Sequence, residues 1–153
     1  MPVLHFTTAI NAPPQVVFDR IADFAHYSQW LPPSAMFKSV MDVSENPVQL
    51  DSTYVDKGTN STMYGKVTVY YPPERIAFHQ VTQIKILSLT VAALDVTIAY
   101  QLTSWSEGTN LTRDVTVQAG GLLKLLQSRL LTGIAAESQR ILAALKKGVE
   151  KTA

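Results

Sequence analysis

The chain has 153 residues, enough for one domain with its own core and too few for two of ordinary size. It contains no cysteine, which excludes disulfide frameworks, thiolate nucleophiles and zinc–thiolate centres and fits a reducing, cytoplasmic setting. Net charge is +1, 46% of residues are apolar and only 16% are charged; Lys146, Lys147 and Lys151 read as a solvated helix tail, so a nucleic-acid partner is not expected, and either something apolar needs housing beyond an ordinary core or some apolar surface is exposed.

The opening MPVLHFTTAI lacks a basic stretch followed by a long apolar run, so no signal peptide is expected. No segment approaches the roughly 20 apolar residues of a membrane span. Val3 to Ile10 reads as a strand, broken by Asn11-Ala12-Pro13-Pro14. Proline suits a first helical turn, and Val16, Val17, Phe18 and Ile21 recur at helical spacing, so Pro14 to Ala22 is a short amphipathic helix. Asp23 is placed to cap a second short helix through Phe24, Tyr27 and Trp30, which ends at Leu31-Pro32-Pro33.

From there the apolar period becomes two. Strands are predicted at Phe37 to Ser44, Ser52 to Lys57, Met63 to Tyr71, Arg75 to Thr82, through Leu94, Val96, Ile98, Tyr100 and Leu102, and at Asn110 to Gln118. Between Gln83 and Ala93 the apolar residues shift from even to odd positions, which requires a bulge or a turn, because a one-residue slip flips every side chain. Ala119-Gly120-Gly121 reads as a break and a hinge. Beyond it Leu123, Leu126, Leu130, Ile134, Ile141 and Leu145 mark one long helix of roughly 25 residues. The predicted class is α+β: a single domain over residues 1–153, with a curved antiparallel sheet of six to seven strands wrapped on the C-terminal helix. A curled sheet touches one helix along a line and leaves space beside it, the natural place for a ligand.

Several phrases carry a resemblance. They are Ile10-Asn11-Ala12-Pro13-Pro14-Gln15-Val16-Val17-Phe18, Ile21-Ala22-Asp23-Phe24 with Trp30 and Pro32, Tyr71-Pro72-Pro73-Glu74-Arg75-Ile76-Ala77-Phe78, Gly108-Thr109-Asn110-Leu111-Thr112, and Leu142 with Leu145-Lys146-Lys147. In this order they resemble the START-like, helix-grip superfamily, also called SRPBCC or polyketide cyclase/dehydrase and lipid transport. The resemblance implies the helix-grip fold, an apolar ligand class and a place for Trp30 beside the cavity mouth. It implies no reaction, since members include lipid carriers, polyketide cyclases, hormone receptors and co-chaperones.

The chemistry-bearing residues are few. His5, His26 and His79 lack any paired metal-ligand spacing, no GxSxG elbow occurs, and no glycine-rich phosphate loop is present, so no metal or cofactor is expected. Arg113 shares strand parity with Leu111, Val115 and Val117. An inward arginine cannot shed its charge; it needs an anionic ligand, backbone carbonyls, an internal partner such as Asp56 or Asp95, or a route for its head to solvent. Tyr100 shares parity with Ile98 and Leu102, so its hydroxyl needs a partner inside. Tyr54 and Tyr64 are further hydroxyl candidates. Glu137, between Ile134 and Ile141, is either a general base or one side of a pair with Arg140 or Arg129. Leu122 and Leu125 exceed what one helical stripe requires, so they either widen the stripe or form an apolar lip that meets a membrane or partner.

The expected function is binding or transport of an apolar or amphipathic molecule such as a lipid, isoprenoid or polyketide. Its expected contacts are Trp30, Tyr54, Tyr64, Phe78, Ile98, Tyr100, Arg113, Leu126 and Leu130. A cyclase or dehydratase working by placement and acid–base help is the alternative, and a protein-interaction module the second.

Overall fold

The computed structural model describes residues 2–152. The chain runs β1 (Val3–Ile10), α1 (Pro14–Ala22), a 3₁₀ helix (Phe24–Gln29), β2 (Ser39–Met41), β3 (Thr53–Lys57), β4 (Thr62–Tyr71), β5 (Arg75–Ile86), β6 (Leu89–Trp105), β7 (Gly108–Gly121), a 3₁₀ turn (Leu122–Leu126) and α2 (Gln127–Thr152). The strands form one seven-stranded sheet in the order β1-β7-β6-β5-β4-β3-β2, antiparallel throughout. β1 and β2 are its two edges. Among the described residues no helix is long and apolar enough to cross a membrane.

Register follows from alternation. Phe78 faces Ile98 across β5–β6, Ile98 faces Val115 across β6–β7, and Tyr100 faces Arg113. The same parity on each strand turns Ile76, Phe78 and Gln80, then Val96, Ile98 and Tyr100, then Leu111, Arg113 and Val115 to the buried side. α1 forms because Pro14 opens it and Val17, Phe18 and Ile21 bury one stripe. α2 buries Ile134, Ser138, Leu142, Leu145 and Val149, spaced three to four residues apart.

In the segment 83–93 there is both a turn and a register shift. β5 and β6 meet in a hairpin whose Leu87 and Ser88 have positive φ, 52° and 69°, and the pairing slips between Ile84 and Lys85. Positive φ at both central residues matches the twist of a two-residue hairpin.

Three expectations are corrected. The strand expected over Phe37 to Ser44 is only Ser39–Met41, because Asp42 takes φ 50° and turns the chain out of the ladder. Asp23 precedes the first 3₁₀ helix but makes no capping bond to it; its carboxylate accepts from His26 and Asn46 instead. The break at Ala119–Gly121 is absent: Gly120 pairs with Ala93 and Gly121 with Ala92 at the end of β7. Gly121 is there for shape, since its φ is +59° and a Cβ would strike the Val91 carbonyl.

Candidate functional site

Between α2 and the concave face of the sheet lies a cavity of about 410 Å³, the size of a small-molecule site. α2 contributes Leu130, Ile134 and Ile141; the sheet contributes Val96, Ile98 and Val115. One wall is aromatic. Phe24 meets Tyr54 edge-on at 4.9 Å and Phe78 at 5.2 Å, and Phe78 continues to Tyr100 at 6.1 Å. Exposed Ala35, Met36, Thr59, Asn60 and Ser61 form the mouth.

Among the described residues Arg113 is the cation in this largely apolar lining. It is only 6% exposed, and its parity on β7 leaves the guanidinium no route to the outer face. Its bonds go to neutral hydroxyls: Nε donates to Ser138 Oγ at 3.2 Å, and Nη1 donates to the Tyr100 hydroxyl. The guanidinium carbon also lies 5.4 Å from the centre of the Tyr100 ring. Neither carboxylate suggested by the sequence pairs with it directly. Asp95 takes His79 on the outer face at 2.6 Å, and Asp56 takes Gln80.

A second polar chain crosses the sheet from β3 to β5. Tyr54 donates to Gln80 Oε1 at 2.8 Å, and Gln80 Nε2 donates to Asp56 Oδ2 at 2.9 Å. The other Asp56 oxygen, Oδ1, is buried and accepts no hydrogen bond among the described residues. Burial therefore raises the Asp56 carboxyl above its ordinary pKa; Glu137 adds to the rise, while Gln80 and Arg113 oppose it. Burial likewise drives the Tyr54 hydroxyl well above its ordinary value, so it stays a proton donor. Tyr54 fits because its cross-strand partner is Gly65, where the ring occupies the space of a side chain.

Glu137 lines the cavity from α2 and is fully engaged. Arg140 grips it through Nε at 2.9 Å and Nη2 at 2.7 Å, and Ser34 Oγ lies 3.1 and 3.0 Å from its two oxygens. Burial alone would raise its pKa, but the Arg140 and Ser34 hydrogen bonds outweigh it and hold the carboxyl below its ordinary value. This carboxylate ties α2 to the loop at the mouth and makes the pair with Arg140 that the sequence offered.

Of the residues singled out from sequence, Tyr54, Phe78, Ile98, Tyr100, Arg113 and Leu130 line the cavity. Three do not. Trp30 packs against Tyr27 at 4.9 Å with the rings tilted by 59° and lies near Gly148 of α2, behind the lining. Tyr64 has the opposite parity to Met63 and is 63% exposed on the outer face. Leu126 belongs to the 3₁₀ turn that precedes α2 and is 50% exposed, outside the stripe it was assigned to. Sequence reasoning missed Ser138, Gln80 and the orphan oxygen of Asp56. Ser138 sits four residues from both Ile134 and Leu142, and Gln80 continues the inward parity of Ile76 and Phe78; either spacing could have revealed them.

No curated protein matches the chain in sequence. Solved structures match its fold over almost its whole length. MLL2253 of Mesorhizobium loti is 12% identical, with a TM-score of 0.75 and 99% of each chain covered. The dimeric Aha1 of Colwellia psychrerythraea is 13% identical, with a TM-score of 0.70 over 98% of this chain and 97% of that one. The di-domain ARO/CYC protein BexL of the BE-7585A biosynthetic pathway is 20% identical, with a TM-score of 0.74 over 97% of this chain and 50% of its own length. At these identities the likeness speaks for the fold alone. The family model described as polyketide cyclase / dehydrase and lipid transport matches residues 1–150, and the chain belongs to that family.

Proposed function

We propose that the chain binds one elongated or polycyclic apolar molecule bearing an oxygen acceptor such as a carbonyl, phenolate or carboxylate. The apolar body occupies the space between α2 and the aromatic wall. The oxygen takes its place beside Arg113 and Tyr100. The observation that carries this reading is the buried guanidinium at the wall of an apolar cavity, bonded among the described residues to the hydroxyls of Ser138 and Tyr100. A buried cation with neutral partners retains much of its attraction for an anion or a polarised oxygen. Burial of the apolar body would supply affinity at roughly 25 cal/mol per Å² before ordering costs. Membership of the polyketide cyclase / dehydrase and lipid transport family supports a polyketide-like or lipid-like ligand.

A cyclase or dehydratase is the second reading, favoured by one observation. Asp56 presents an unpartnered oxygen in the same cavity as Arg113, and its raised pKa suits a group that gives or takes a proton. The open cavity argues against a pure interaction module, which would have a filled interior.

Titration with anilinonaphthalenesulfonate, an apolar aromatic anion, tests the binding reading. Arg113→Met should weaken its affinity at least tenfold in a protein that still melts cooperatively. Equal affinity in the variant would remove Arg113 from the ligand site. Native mass spectrometry of freshly purified protein, with extraction of any bound molecule, identifies the natural ligand class.

A further inference from the structure

Large apolar side chains of high exposure gather at one end of the sheet. On the β5–β6 hairpin Ile86 is 58%, Leu87 93% and Leu89 70% exposed; on the 3₁₀ turn before α2, Leu122 is 60% and Leu125 83% exposed. The two elements are neighbours because the end of β7 pairs with the beginning of β6, Gly121 opposite Ala92. Leu89 lies three residues further out, roughly 10 Å of strand, so the hairpin projects past the turn. The cavity begins directly behind them, at Leu94 on β6 and Leu130 on α2.

Charge at this end has one sign. From Gln83 to Leu94 the only charged residue is Lys85, and from Val115 to Ala136 the only ones are Lys124 and Arg129. Lys124 and Arg129 are exposed. Water-facing leucines interleaved with cations and no acid are the composition of a surface that enters an anionic bilayer.

We propose that this end of the sheet docks on an anionic lipid bilayer. Leu87, Leu89, Leu122 and Leu125 enter the boundary between headgroups and acyl chains, while Lys124 and Arg129 lie against the headgroup phosphates. A second copy of the chain is the less suitable occupant. Face-to-face pairing would set cation against cation, and a projecting hairpin offers little flat area to a rigid partner. The docked orientation brings the α2 end of the cavity towards the lipid, so an apolar molecule would pass from bilayer to cavity along a short apolar path. The proposal does not depend on what fills the cavity, and its test uses none of the cavity residues.

The experiment is co-sedimentation of the full chain with phosphatidylcholine vesicles and with mixed phosphatidylcholine–phosphatidylserine vesicles. Binding to the mixed vesicles should be at least tenfold tighter, and should fall when salt is raised to about 0.5 M, where charges are screened beyond a few ångströms. Leu87→Ser with Leu125→Ser should weaken it at least tenfold with an unchanged melting temperature, both side chains being exposed. Lys124→Ala should weaken it about fivefold, equivalent to about 1 kcal/mol per headgroup-facing cation. Failure to bind either vesicle, or equal binding by the double serine variant, overturns the proposal. So does sedimentation velocity showing a dimer that the same substitutions dissolve while vesicle binding is absent.

Discussion

Replacing Asp56 by Asn should stabilise the protein at neutral pH. Oδ1 of Asp56 is buried without a partner, while Oδ2 accepts from Gln80 at 2.9 Å. Asparagine keeps an oxygen for Gln80 and removes the charge. The amide nitrogen then takes the place of Oδ1, so the gain comes from no longer holding a buried charge, the same desolvation that raises the carboxyl pKa. A rise of one pKa unit corresponds to about 1.4 kcal/mol, so the gain should be about 1 kcal/mol, or about 3 °C in melting temperature for a chain of this length. The pH dependence has a definite sign. Burial raises the folded-state pKa above the ordinary 3.8, so the native state holds this proton more tightly than the unfolded chain. The stability tied to that proton is fully present below the ordinary value and lost as pH rises through the folded one. The gain from Asp56→Asn should therefore be complete at pH 7, shrink as the solution is acidified through the folded-state pKa, and vanish only below the ordinary value. Thermal denaturation across this range by circular dichroism measures it. A variant that melts below the wild type at pH 7 would refute the reasoning, because it would mean that attraction between the carboxylate and Arg113 outweighs desolvation.

Further substitutions address other features. Gly65→Ala should cost about 1–3 kcal/mol, since its methyl would enter the Tyr54 ring, and should release the Tyr54 hydroxyl from Gln80, visible in tyrosine absorbance. Gly120→Ala should be nearly neutral, its Cβ meeting Ala93 Cβ at an ordinary 3.7 Å, whereas Gly121→Ala should lower the melting temperature measurably for its φ of +59°. Glu137→Gln should cost about 1–2 kcal/mol at pH 7 by loosening Arg140 and Ser34. The Glu137 pKa is lowered on folding, so that contribution is present above its ordinary value of 4.5 and lost on acidification through the folded value; the difference between Glu137→Gln and wild type should close there.

Strand parity carried most of the fold. It made the inward side of β6 and β7 legible, and with it the placement of Tyr100 and Arg113 on the cavity wall. It failed where backbone geometry intervened: Asp42 cut β2 short at φ 50°, a fact no alternation records. Tyr64 and Tyr54 could not be separated from sequence because strand register, not composition, decides which face each takes; opposite Tyr54 stands Gly65, and Tyr64 points away. Leu126 matched a helical stripe, but the stripe begins only at α2, after a 3₁₀ turn of different pitch. Ser138 was invisible to an apolar search because it is a hydroxyl at a core position, kept there by its bond to Arg113.

The order of the sheet also bears on how this fold can change its contents. β1 and β2 stand at opposite edges and share no ladder, so the wall is not a closed ring. Phe24, Leu31 and Phe37, from the first 3₁₀ helix and the loop that follows, are buried and line the cavity without belonging to any strand. A closed barrel can widen only by breaking hydrogen bonds or adding a strand. Here the interior can be resized by exchanging a few such lining residues, with every strand left in register. A few residues of helix and loop thus set the shape of the interior, and one wall design is compatible with cavities of many shapes.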